Sequence, residues 1–589
     1  MRCTKVAADL QAFPFDLHGI LQMNPRTREM LVLLVVTSGI TVWFLKQRQI
    51  LTWGSDSSRD AEIVIDLPQT TFPERPRFSA TATVDVKNPG PAISDGIYGV
   101  CELPEKAMRD YGITVTRSGG NAMTRYNWKL NADNGAADWY FKNRGTPIQN
   151  LTGNGYLRHF QDAHARGGSA YQTVPMIGWV AKDNKSYSFP TSKFGPQRSF
   201  EPGHPDVGDG LRPDGKPIRG TDPRETSVGV GPDFVAEAVK FTATHASKAG
   251  TRYWVLDNEP MLWHQTHRDV RPEPLSYDEL WDRTVAYAEA IKKADPAAKV
   301  AGFCSWGWTD LYYSAKDEGG NGYATRPDSR AHGGEPLGEW FIRKCGEYKN
   351  RTGRPLVDVF DLHWYPQAQH HGKTPYHGKG MDVALNELRV RTPRDLWDPG
   401  YTQESWIRDT VDRQPTRVLR RVREWIDRHN PGMEISLGEY NFGGSDSITG
   451  ALAQADVFGI LAREKVNLAF IWNMPEGSQH LAWMLYRNFD GEGGRFGTTL
   501  LPAESSHPDL SIYAAKRDDG AITIVVINKN LGGASELKLD GAGLNGKLRV
   551  WRIEQKSNKV SELPGEGATV AGSVRMTLPP ASASMLVIK

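Results

Sequence analysis

Eight short apolar runs recur through the middle of this 589-residue chain, and segments of helical spacing lie between several of them. The runs fall at 97–100, 112–117, 170–178, 252–258, 298–304, 356–364, 433–440 and 467–473. Short runs rich in Val, Ile, Tyr, Phe and Trp read as buried strands. Strands that alternate with helices predict a parallel sheet, and eight of them predict a TIM-like (β/α)8 barrel over residues 96–494. The clearest helix is Ser276–Ala294. Ser276 and Glu279 form a capping box, Leu280, Trp281, Ala288 and Ile291 mark one face, and Asp295-Pro296 ends it. Two more helices are expected at Thr416–His429 and Ile448–Glu464.

The texture changes after Arg495. Short strands are expected at 509–517, 521–528, 536–539, 547–552 and 584–588, with a hairpin turn at Asp518-Asp519-Gly520. These predict a β-sandwich domain over 495–589. The alternating run 78–86 lies outside the barrel series, so the segment 78–95 is expected to join the sandwich. Residues 51–77 are polar and Pro-punctuated, as in a linker.

Residues 1–50 hold a different signal. Met30–Leu45 is uncharged and apolar, with Arg26 and Arg28 before it and Lys46 and Arg48 after it. A signal anchor behind a cytoplasmic tail, a cleaved signal peptide and a buried helix all fit this pattern. The first two imply export to the cell envelope or the medium. Met23 and Met30 are alternative starts.

Basic residues number 71 and acidic residues 69, giving a net charge of +2. That balance excludes nucleic-acid binding through a broad basic face, and acidic polymers are not implied. Eighteen Trp and 20 Tyr suit a neutral glycan, because sugar faces lie flat on aromatic rings. Cys3, Cys101, Cys304 and Cys345 are too scattered for a zinc motif or a disulfide framework. There is no Walker loop, and no GxGxxG follows the first strand. Gly229-Val230-Gly231 is a faint echo that precedes a helix without a strand before it. No cofactor is expected to be required, and a monomer is expected.

Barrel enzymes place their chemistry at the C-terminal ends of strands. The fourth run ends in Asp257-Asn258-Glu259-Pro260 and the seventh in Gly438-Glu439-Tyr440-Asn441. Two Glu residues facing each other across a barrel mouth supply what glycoside hydrolysis needs, one protonated acid and one ionised carboxylate. Asn258 is placed to bond a substrate 2-hydroxyl. Among the rivals, Glu434 opens a strand and so lies at the wrong end. Asp361 reads as a structural acid of the barrel rim, and Glu476, in the loop after the eighth run, as a substrate contact. Arg117, Asn121, Arg125, Trp128, Trp263, His363 and Tyr365 are candidate subsite residues, each weighed against core or rim packing. An Arg beside the nucleophile favours its ionised form, and His363 can reach either Glu. Asp206, Asp209 and Asp214 in a Gly-rich loop are calcium candidates without the EF-hand register. His370, His371 and His377 match no standard metal-ligand spacing.

The motifs TVTRSGGNAMTRYNWK (114–129), WVLDNEPMLWHQTH (254–267), DVFDLHWYPQ (358–367), SLGEYNFGG (436–444) and FIWNMP (470–475) resemble glycoside hydrolase family 44, the endoglucanase/xyloglucanase family of clan A. The resemblance runs from about residue 78 to the end. It implies a TIM-like barrel with a β-sandwich built from both chain ends, and a retaining mechanism. It makes Glu259 the acid/base, Glu439 the nucleophile, Asn258 the 2-hydroxyl contact and Trp472 the platform under the cleaved sugar. It also allows a structural calcium. The expected activity is a retaining endo-β-1,4-glucanase on cellulose-type glucans or xyloglucan. A non-catalytic glycan-binding surface protein stays open, as does an exo-acting or transglycosylating relative whose groove the 183–232 insertion blocks.

Overall fold

The computed structural model describes residues 70–589 apart from 102–104, 247–249, 320–321, 378–379, 411–413, 474, 476 and 565–567. The apolar run at 30–45 lies outside the described residues, as does Glu476. No helix among the described residues is long and apolar enough to cross a membrane.

All eight expected runs supply barrel strands. In chain order these are Gly99–Cys101, Val115–Ser118, Ser169–Val174, Arg252–Leu256, Lys299–Ser305, Val359–Trp364, Glu434–Tyr440 and Leu468–Ile471. Each pairs in parallel with the next, and the eighth pairs with the first to close the barrel. They are buried almost throughout, because side chains on one face fill the barrel and those on the other meet the helices. The helix Tyr277–Ala294 starts where its capping residues put it, with the Ser276 side chain accepting from the Glu279 N–H.

The C-terminal strands form a nine-stranded mixed sheet, and Phe78–Val84 is built into it. That strand runs parallel to residues 535–540 on one side and antiparallel to Ala503–Ser505 on the other. Its alternation buries Ala80, Ala82 and Val84. Two expected short strands, 536–539 and 547–552, are one strand, Ser535–Ile553, whose pairing with Ala568–Leu578 shifts register between Asp540 and Asn545. Ala568–Leu578 was not anticipated. Its apolar positions are separated by Gly, Ser, Arg and Thr, and it packs only one face. A further difference is the short strand Ser227–Gly229, which pairs with Trp179–Ala181 just before the helix Pro232–His245.

The sheet and the barrel share an apolar seam. Leu510, Ile512, Ile524 and Val526 face the core of the sheet domain. Tyr513, Val525, Ile527 and Met585 belong instead to the large core of the barrel. The helix Ile448–Arg463 is buried on nearly all sides in this seam, and its sequence is apolar all round accordingly. Within the seam, Tyr513 donates to Asp456 at 2.7 Å, and Lys529 lies 3.4 Å from the other Asp456 oxygen.

Candidate active site

The fourth strand ends in a turn that the chain adopts only against resistance. Asp257 and Glu259 both have positive φ, 67° and 47°, a region that costs non-glycine residues free energy. The Asp257 carboxylate holds the turn. One oxygen accepts from the Thr124 hydroxyl at 2.6 Å, the Asn258 N–H at 2.8 Å and the Trp263 indole N–H at 3.3 Å. The other accepts from the backbone N–H groups of Met176 and Ile177 after the third strand. Glu259 is thereby aimed over the barrel mouth.

Glu439 arrives from the seventh strand. Arg117 Nη1, wholly buried on the second strand, donates to Glu439 Oε1 at 2.6 Å. The Tyr365 hydroxyl donates to Oε2 at 3.0 Å. Arg117 Nη2 also donates to Asn258 Oδ1 at 3.0 Å, and Gly120 N–H donates to that oxygen at 3.2 Å. Asn258 Nδ2 donates in turn to Asn121 Oδ1 at 3.2 Å. Strands two, four and seven are thus tied together through one guanidinium.

His363 stands between the two glutamates. Its Nδ1 lies 2.8 Å from Glu259 Oε1 and 3.5 Å from Glu439 Oε2. One oxygen from each carboxylate and a ring nitrogen of His363 all lie within 4.8 Å of one another. Burial pushes the Glu259 carboxyl up to about 7, although the Arg117 charge opposes the rise and Asp138 adds to it. Burial holds the His363 imidazole below its ordinary value. The site therefore contains an acid that keeps its proton near neutrality beside a carboxylate paired with arginine.

Trp472 follows the eighth strand at the rim. Its ring lies close above Gly120, where an added Cβ would stand 2.7 Å from the ring edge, and Arg117 sits 5.9 Å from its centroid. Tyr376 packs edge-on against Tyr365 and receives a hydrogen bond from Asn473 Nδ2. Neither Tyr376 nor Cys304, which lies under His363, was anticipated. Tyr376 sits in a loop with no periodicity to read, and the cysteines gave no spacing signal.

Several candidates lie elsewhere. Arg125 is wholly buried and pairs with Asp269 at 3.2 Å, so it braces the 183–232 insertion against the barrel. Trp263 is buried and spends its N–H on Asp257. Trp128 is buried against Phe234 and Phe241, with its N–H on the Phe234 carbonyl. These three lie in a motif-rich stretch but face the core. Asp361 is not at the rim; it is fully buried inside the barrel, beneath His363. Gly438 leaves room for it, since a Cβ there would come within 2.3 Å of the carboxylate. Glu434 pairs with Lys299 at the opposite end of the barrel.

The calcium candidates do not converge. Asp206 accepts from Tyr187, Thr191 and Ser192, Asp209 pairs with Arg198 and Ser199, and Asp214 pairs with Lys216. His370 faces Asp382, and His377 faces Thr374. Among the described residues, two groups of ligand-type side chains are close enough to share an ion, Cys304/Asp361/His363 and Glu259/His363/Glu439, and both include groups that interact with the buried Arg117 charge. That fixed cation opposes a second one.

An eight-stranded parallel barrel with paired glutamates closing strands four and seven defines a glycoside hydrolase of the TIM-barrel type. The family model for glycoside hydrolase family 44 matches residues 132–368. The chain is 32% identical to CelM2, a bifunctional glucanase-xylanase from a metagenome library. That match has a TM-score of 0.80 and covers 87% of this chain and 99% of CelM2. A Paenibacillus polymyxa family 44 xyloglucanase solved with xyloglucan is 28% identical, with a TM-score of 0.72 and coverage of 87% and 99%. Endoglucanase A of Paenibacillus lautus is 28% identical over 538 residues, 86% of this chain and 72% of that one. The chain belongs to glycoside hydrolase family 44.

Proposed function

We propose that the protein is a retaining endo-β-1,4-glucanase acting on cellulose-type glucans or xyloglucan, with Glu259 as acid/base and Glu439 as nucleophile. The observation that carries this reading is the carboxylate pair, with one oxygen of each within 4.8 Å of the other. That separation suits direct attack, whereas inverting enzymes hold their carboxyls about 6.5–9.5 Å apart to admit a water. Glu439, paired with Arg117, attacks the anomeric carbon. Glu259 gives its proton to the departing oxygen, and a glycosyl ester forms on Glu439. Glu259 then takes a proton from water, whose oxygen displaces Glu439. Asn258, held by Arg117 and Gly120, is placed for the 2-hydroxyl, and Trp472 is the platform beneath the reacting sugar. The names of the relatives, an endoglucanase, a xyloglucanase and a glucanase-xylanase, support a glucan or xyloglucan as substrate.

On this reading the chemistry needs no cofactor and a monomer suffices. The substrate is a neutral polysaccharide and not a nucleic acid. The apolar run at 30–45 between basic residues supports export, either anchored or cleaved. Glu259→Gln and Glu439→Gln should each lose about 10³-fold or more of the activity on carboxymethyl cellulose. A parent that binds glucan without cutting it would establish the glycan-binding alternative instead. Product sizing on cellulose, xyloglucan, lichenan and mannan would separate endo from exo action and rank the substrates.

A further inference from the structure

Beneath the two glutamates the barrel floor holds a second layer of polar groups. Cys304 comes from the fifth strand and Asp361 and His363 from the sixth, and all three are wholly buried. The His363 ring joins the layers. Nδ1 faces the glutamates, and Nε2 faces down, 3.3 Å from Cys304 Sγ and 3.5 Å from Arg117 Nη2. A guanidinium only donates, so a proton on Nε2 would point at another N–H. The thiol has a proton to give, and burial keeps that proton in place. With Nε2 accepting, the single ring proton resides on Nδ1 and points at the glutamates. Asp361 lies within 4.8 Å of the thiol and of a ring nitrogen; burial raises its carboxyl, and the His363 and Arg117 charges and the Ser436 and Cys304 side chains oppose that rise. Without the thiol, Asp361 is the acceptor that would draw the ring proton to Nε2.

We propose that Cys304 is a positioning residue whose thiol donates to His363 Nε2 and so fixes the Nδ1–H tautomer for the second half of the reaction. The proposal rests on the roles given above to Glu259 and Glu439. In the resting site Tyr365 and Arg117 already serve Glu439. When Glu259 releases its proton to the leaving oxygen it becomes a carboxylate, while the Glu439 charge disappears into the ester. His363 Nδ1–H, 2.8 Å from Glu259 Oε1, then donates to the new anion. Water attacks, its proton goes to Glu259, and Glu439 leaves as a carboxylate. His363 neither gains nor loses a proton. The charged and titratable groups facing it are Glu259, Glu439, Arg117, Cys304, Asp361 and Tyr365, with Asp138 and Asp310 near Glu259.

The test compares Cys304→Ala and Cys304→Ser with the wild type on an aryl cello-oligosaccharide bearing a good leaving group. On such a substrate kcat reports hydrolysis of the ester and kcat/KM its formation. Both variants keep a small side chain where φ is 59°, so the backbone penalty is shared. Cys304→Ala should lower kcat about tenfold and kcat/KM less on the aryl substrate, and on carboxymethyl cellulose, whose leaving group needs the acid, it should move the alkaline limb of kcat/KM up by about half a pH unit. Cys304→Ser should restore both. Long-range proton–nitrogen NMR of histidine-labelled wild type, with His363 assigned through His363→Gln, should show the Nδ1–H tautomer. An Nε2–H or imidazolium signature, or an unmoved limb in Cys304→Ala, would overturn the proposal alone. Full activity in Glu259→Gln or Glu439→Gln would overturn the site reading and the proposal with it.

Discussion

At the scale of single residues the site is a problem in where protons rest. Glu259 and Glu439 are the same side chain within 4.8 Å of each other, and their surroundings separate them. Glu439 has a buried guanidinium at 2.6 Å; Glu259 has a ring nitrogen at 2.8 Å, and burial raises it to about 7. The sign follows directly. Glu259 must be protonated to assist leaving-group departure, so kcat/KM on a polysaccharide should fall as pH rises through about 7. A pH–rate profile checks this, and in Glu259→Ala the alkaline limb should vanish on substrates whose leaving group needs no acid. Sequence position suggested both acids, because each closes a strand. It did not separate Arg117, which reaches the site, from Arg125, which is committed to Asp269. Both sit in the same motif, and only the direction of the chain after the second strand distinguishes them.

At the scale of elements, the turn after the fourth strand is held by side chains far away in sequence. Asp257 collects donors from residues 124, 176, 177, 258 and 263. The Arg125–Asp269 pair braces the same region, with Ser188 and Ser227 completing its hydrogen bonds. Breaking a buried pair by removing one partner strands a charge, which costs about 3–5 kcal/mol. Arg125→Met should therefore lower the urea midpoint by that equivalent, while kcat at saturating substrate stays near wild type below the transition. A large kcat loss in a folded Arg125→Met protein would return this residue to the substrate groove. Strand existence was readable here because apolar runs of this length have few other uses. The extent of the Ser535–Ile553 strand was not, since its solvent-facing half has no apolar period.

For the whole molecule, the first strand among the described residues is built into the sheet domain that packs on the barrel. Phe78–Val84 bridges Ser535–Ile553 and Ala503–Ser505, and it buries Ala80, Ala82 and Val84. A chain beginning at residue 70 should keep its melting temperature and activity. One beginning at residue 86 should expose a long strand edge and apolar core, lose several degrees in Tm and aggregate. Scanning calorimetry and light scattering on the two chains check this, and equal stability would show the strand to be dispensable.

By itself the sequence determined the barrel, the sheet domain and the two strand-end glutamates, because periodicity, caps and turn residues act locally and leave local marks. Only the tertiary structure decided which side chains meet those glutamates. Arg117, His363, Tyr365 and Cys304 converge from strands two, five and six, and Trp128, Trp263 and Arg125 turn away. The physical reason is that a side chain's charge state and role depend on neighbours brought from distant positions, and no local pattern records them.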